Sequence, residues 1–125
     1  MVHEWLLRAG KGVTSKQFQH KFSEHAPPIG WHLWHMARFA DRLQMRLAHF
    51  LGESPTTELW HGDNYARQWG IEPTDLGVHE SGMGQSHQAA QNLLVRVGQD
   101  QIIHYAAHTF ARCNELIKQL TEAQY

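Results

Sequence analysis

An all-α bundle is the fold this sequence predicts, and three observations predict it. Apolar residues recur at helical spacing in two long segments, 28–51 and 99–120, which is the mark of helices with one face against a core. No segment alternates apolar and polar residues with period two over several positions, so strands have no support. Glycine and proline fall between the periodic segments and gather in 53–84, where they break any long element.

The elements follow in order. A first helix spans about Val2 to Arg8 and stops at Gly10-Lys11-Gly12. Ser15 is placed to cap a brief helix through Phe22. The turn Glu24-His25-Ala26-Pro27-Pro28 leads into the longest helix, about Pro28 to Leu51, with Gly52 as its stop. Counting about 100° per residue puts Ile29, Leu33, Ala37, Ala40, Leu47 and Leu51 on one face. Trp31, Trp34 and Phe39 occupy the other sides, so the N-terminal half of this helix is expected deep in a bundle or against a cavity. Within Glu53–Gly84, Thr57–Trp60 and Tyr65–Trp69 each suggest one turn of helix, in a connection long enough to be functional or mobile. A helix from about Ser86 to Val97 breaks at Gly98, and the last runs from about Gln99 to Leu120 on a stripe of Ile103, Ala107, Phe110, Ile117 and Leu120. Four principal helices in 125 residues form one domain, residues 1–125.

Composition narrows the function classes. Lysine and arginine number 11 against 12 acidic residues, scattered without runs, so no field draws the chain to nucleic acid or an anionic membrane. One cysteine, Cys113, excludes an internal disulfide and suits a reducing compartment. With no secretory signal and no apolar run near the ~18 residues of a membrane span, a cytoplasmic location is expected. Eleven histidines, spread along the chain rather than in a tract, are the compositional oddity.

Two of those histidines stand in His104-Tyr-Ala-Ala-His108. Positions i and i+4 lie on one helical face about 5–6 Å apart, within reach of a single ion. Counted from Ile103 they fall at about 100° and 140°, at the edge of the apolar stripe. Glu115 lies on the same edge and is placed to support a ligand. A third imidazole from Trp31-His32-Leu-Trp-His35 would complete a three-histidine site with an open position, the form catalytic metals take. Periodicity leans slightly to His32 over His35, and a core histidine bonded to a neighbour is the plain alternative for either. His61 and His79 are loop candidates. Ser81 lacks the strand–turn–helix setting of a nucleophile, and Cys113, among Phe110, Leu116 and Ile117, reads as a small buried hydrophobe.

Pro27-Pro-Ile-Gly-Trp-His-Leu-Trp-His35-Met-Ala-Arg-Phe-Ala-Asp41-Arg resembles the second-helix signature of the DinB/YfiT-like superfamily. Glu58-Leu-Trp60, Tyr65-Ala-Arg67-Gln-Trp69-Gly-Ile and Gly77-Val-His-Glu resemble the loop that follows it, and Ile103-His104-Tyr-Ala-Ala-His108 resembles the family's last-helix histidine pair. The resemblance implies an up-and-down four-helix bundle, here with an abbreviated first helix, that binds one divalent metal through His35, His104 and His108. Zinc or nickel is the expected ion, with iron next. It also implies a small-molecule substrate, with a low-molecular-weight thiol among the candidates, and thiol transfer or hydrolysis as the reaction. The alternative is a non-catalytic metal-binding, structural or interaction bundle, in which a closed site would take a fourth ligand from His32, Asp41, His61 or a partner chain. Trp31, Trp34, Trp60 and Trp69 are expected at an apolar mouth, with Arg38, Arg42 or Arg67 holding an anionic group. An abbreviated bundle leaves apolar surface, so a homodimer is expected. Binding to nucleic acid is not.

Overall fold

A computed structural model describes residues 2–20 and 26–123. They form α1 (Val2–Lys11), α2 (Ser15–Gln19), α3 (Ile29–Leu51), α4 (Leu59–Gly62), α5 (Tyr65–Trp69), a 3-10 turn (Pro73–Leu76), α6 (His87–Arg96) and α7 (Gln99–Ala123). An isolated antiparallel bridge joins Val78 and Met83, and no described segment forms a strand. The all-α expectation therefore holds, and no described helix is long and apolar enough to cross a membrane.

Local chemistry sets the boundaries. Thr14, not Ser15, caps α2: its hydroxyl accepts from Gln17 N while the Gln17 amide accepts from Thr14 N, a reciprocal capping box. The helix closes at Gln19, short of the expected end at Phe22, which lies outside the described residues together with Glu24 and His25. Ser86, where the helix was expected to begin, caps α6, and Gly52 ends α3 in the left-handed conformation at φ 71°. Phe18 plugs α2 onto the start of α3. A Cβ at Gly30 would stand 2.3 Å from its ring, so only glycine admits this approach.

α3 and α7 carry the fold and run parallel. Tyr105 on α7 meets Arg38 and Asp41 on α3, and Arg112, two turns further on, reaches the carbonyl of Ser54 beyond the end of α3. The second and fourth long helices of an up-and-down bundle are related in this way. Gln99 pins the start of α7 to the carbonyls of Gly10 and Val13.

The buried face of α3 includes the predicted Leu33, Ala37 and Ala40, whereas that of α7 differs from its predicted stripe. On α3 the inward residues are Leu33, Trp34, Ala37, Arg38, Ala40, Asp41, Gln44 and Ala48, while Phe39, Leu43 and Phe50 stand 38%, 45% and 76% exposed. On α7 they are Ile102, Tyr105, Ala106, Thr109, Phe110, Cys113 and Leu116, while Ile103 and Ala107 are half-buried and Ile117 is 41% exposed. Each helix is turned so that polar residues sit at the centre of its buried face. Counting apolar side chains alone misses such an orientation, because a polar residue that finds all its partners can occupy a core.

Candidate functional site

The histidines expected to bind metal are not brought together. His35, half-buried, lies flat on Trp31 with ring centroids 4.5 Å apart and meets the edge of Phe39 at 4.8 Å. Its Nδ1–H donates to the Ser81 carbonyl at 2.5 Å. A carbonyl only accepts, so Nδ1 is the nitrogen that carries the proton in this bond. The loop reaches His35 because Gly82 has no side chain: a Cβ there would stand 2.9 Å from His35 Nδ1, Trp31 and Trp34. His32, exposed, sets its ring edgewise to Trp31, and burial and then the nearby His35 lower its pKa.

His104 and His108 do lie side by side on α7, with ring centroids 6.4 Å apart, but both are exposed. His104 faces Tyr65, Gln68 and Trp69, and Glu115 is exposed. The one-residue rotation of α7 is the physical reason. The face that meets α3 is centred on Tyr105 and Thr109, about 100° from the histidine pair. Among the described residues, no three His, Cys, Asp or Glu side chains gather closely enough to hold a metal ion.

The space between α3 and α7 is filled instead by a hydrogen-bonded ion cluster. The Arg38 side chain is fully buried, and all five of its N–H groups are used. Nε donates to Glu80 O at 2.7 Å; Nη1 to Asp41 Oδ2 at 3.2 Å and the Tyr105 hydroxyl at 3.1 Å; Nη2 to Glu58 Oε1 at 2.8 Å and His79 O at 3.1 Å. The two carbonyls point at the guanidinium because His79 and Glu80 both take the left-handed conformation, at φ 55° and 54°. Non-glycine residues are uncommon there and persist where their surroundings over-determine them.

Asp41, also fully buried, is just as fully engaged. Oδ1 accepts from Leu59 N at 2.7 Å and the Gln44 amide at 2.9 Å; Oδ2 accepts from Trp60 N at 2.8 Å and the Tyr105 hydroxyl at 2.7 Å besides Arg38. Glu58 makes no capping bond at the head of α4, so the α3 carboxylate supplies that cap from across the fold. Burial, and then Asp41, hold the Tyr105 hydroxyl well above its ordinary pKa of 10.0, against the opposing pull of Arg38. Burial works against the Arg38 cation too, yet Tyr105, Glu58 and Asp41 outweigh it, so its pKa is raised.

Trp60 roofs the cluster. It lies 5.0 Å from the guanidinium carbon, donates its indole N–H to Glu80 Oε1 at 3.0 Å, and packs against Trp34, Tyr65, Trp69 and Tyr105 with centroids 5.1–5.9 Å apart. The expected apolar mouth is therefore core: Trp34, Trp60 and Trp69 are 0%, 1% and 8% exposed. Trp31 stands apart from them, half-buried against His35. At the rim, half-exposed His61 lies 3.5 Å from Glu58 and 3.7 Å from Glu80. Arg38, expected to hold a substrate anion, is consumed by the fold; Arg42 is half-buried and Arg67 exposed. Ser81 donates its hydroxyl to Val78 O at 2.6 Å and shapes its own turn. Cys113 is buried as expected, and burial raises its pKa.

Among the described residues, the space between α3 and α7 offers no ligand set for a divalent metal. The buried polar side-chain atoms without partners on α3 and α7 are Trp34 Nε1, Gln44 Oε1, Thr109 Oγ1 and Arg112 Nε, which make no ligand set for such an ion.

The family is nonetheless plain. The model of the DinB superfamily matches residues 3–125. The chain belongs to the DinB superfamily. No curated protein and no solved structure gives a match to it. Within this DinB-superfamily chain, sequence reasoning found the helices that meet and named Arg38 and Asp41 for other work. It missed Tyr105, Glu58 and Glu80. The Arg38–Asp41 spacing of three was an available signal, since i and i+3 share a helix face.

Arg38→Met leaves two carboxylates facing each other without their cation and is expected to cost about 3–5 kcal/mol, read from urea denaturation midpoints. Tyr105 ties the cluster to pH. The folded chain holds the Tyr105 proton beyond the pH at which the unfolded chain releases it, so this contribution is complete below about pH 10 and is lost as pH rises further. Denaturation midpoints between about pH 9 and 11 should fall more steeply for the wild type than for Tyr105→Phe. Parallel curves would show that the hydroxyl carries no such linkage.

Proposed function

We propose that this DinB-superfamily chain is a metal-independent binding bundle rather than a three-histidine metalloenzyme. One observation carries the reading: the space between the helices bearing His35 and His104–His108 is held by Arg38 with every donor engaged. Catalysis needs a group with a valence open to substrate, at the right distance from the reacting atom. Arg38, Asp41 and Tyr105 spend theirs on one another and on the two loops, so their work is to hold surfaces in place. A second copy is a fitting partner. Met36, Phe39, Leu43 and Phe50 follow one another at helical spacing on α3 and are 38–76% exposed, a stripe suited to an isologous contact. A monomeric mass by sedimentation equilibrium at micromolar concentration would remove that part of the reading.

One observation favours a second reading. His104 and His108 are neighbours, so a two-imidazole chelate, completed by a ligand from outside the chain, would bring zinc or nickel and the thiol-dependent or hydrolytic chemistry back into play.

Elemental analysis of tag-free protein separates the two. The expected result is well under one metal per chain, with no rise in melting temperature on adding zinc or nickel. A His104→Ala, His108→Ala variant should lie within about 0.5 kcal/mol of the wild type, as exposed positions do. One tightly held metal per chain, lost in that variant, would overturn the metal-independent reading.

A further inference from the structure

A groove of about 580 Å3 lies between the Pro73–Leu76 turn and α6, outside the Arg38 cluster. Its size is within the ~300–1,000 Å3 typical of small-molecule sites. The floor is apolar: Leu76 and Leu93 are 1% and 3% exposed, while Val95 at the mouth is 68% exposed. A solvent-facing valine beside a recessed apolar floor offers contact area that the chain itself leaves uncovered.

The wall carries two carboxylates against one guanidinium. Glu72 and Asp75 both line the groove, and no described lysine, arginine or histidine stands within ion-pairing distance of either. The Gln85 amide bonds the main-chain carbonyl of Asp75 at 2.8 Å and leaves its carboxylate free. The α6 end does not draw on these carboxylates, because Ser86 caps it by accepting from Ala89 N at 3.1 Å. The one cation lining the groove, Arg96, donates to the carbonyl of Gly70.

We propose that this groove binds a small organic amine, its ammonium at Glu72 and Asp75 and its apolar body over Leu76, Leu93 and Val95. An anionic ligand of the same shape meets two like charges there, and a neutral one leaves both carboxylates without a partner. The proposal rests on the binding reading above and gives it a ligand class.

The test is calorimetric titration of the full chain with 2-phenylethylammonium, beside phenylacetate and 2-phenylethanol as close shape matches. Saturable binding of the ammonium, at least about tenfold tighter than either control, is the expected result. A Glu72→Gln, Asp75→Asn variant changes two exposed side chains and should lose about tenfold of that affinity. Ala89→Phe, which fills the groove, should lose it as well. Equal binding of the three probes, no saturable binding, or affinity indifferent to these variants would overturn the proposal. Metal content of the same preparation keeps the two readings separable. A metal-free chain that ignores the ammonium defeats the groove alone, whereas a stoichiometric histidine-bound metal defeats the reading beneath it.

Discussion

The rest of the structure depends on one buried ion pair, Arg38 with Asp41, three residues apart on α3. Isolated in an apolar core, two such charges would cost more to desolvate than their attraction returns. Here the cost is met by completeness. Arg38 satisfies five donors and Asp41 accepts five bonds, reaching Tyr105 on α7, the head of α4, and the turn at His79–Glu80. The irregular region between α3 and α6 is thus tied to the two longest helices by hydrogen bonds to its own backbone. Trp60 closes the cluster from above and joins it to the aromatic core, so the polar and apolar parts of the interior share one wall.

This arrangement joins the interior of a DinB-superfamily bundle through side chains of its own. A metal at the meeting of helices joins several side chains through a single charged centre. Arg38 does comparable work with a planar cation whose five donors are fixed in direction. The left-handed turn at His79 and Glu80 has a structural purpose in this account, since it aims two successive carbonyls at one guanidinium. His35, clamped between Trp31, Phe39 and the Ser81 carbonyl, helps to hold the same loop from the other side.

Much of the secondary structure was legible because its signals are local. The two long helices, the short turns at 59–62 and 65–69, the start of α6 near Ser86 and the Gly52 stop each follow from residues within one or two turns. The cap of α2 differed by one residue because Thr14 and Gln17 can bond reciprocally, whereas Ser15 is the first residue inside the helix. The candidate site was legible only in part. Arg38 and Asp41 stood in the signature that marked the family, but the partners that fix their role lie 18 to 67 residues away in the chain.

The sequence by itself determined the class of fold, the family, and which segments become helices, because periodicity and caps act over a few residues. Tertiary structure alone decided which way α7 faces. A turn of about 100° on α7 separates a histidine pair that shares an ion with α3 from a tyrosine and threonine that pack against it. Local spacing cannot set that angle. It is set by whether Arg38, Asp41 and Tyr105 can all satisfy their hydrogen bonds at once, a condition met only when α3, α4, α7 and the 77–84 loop come together.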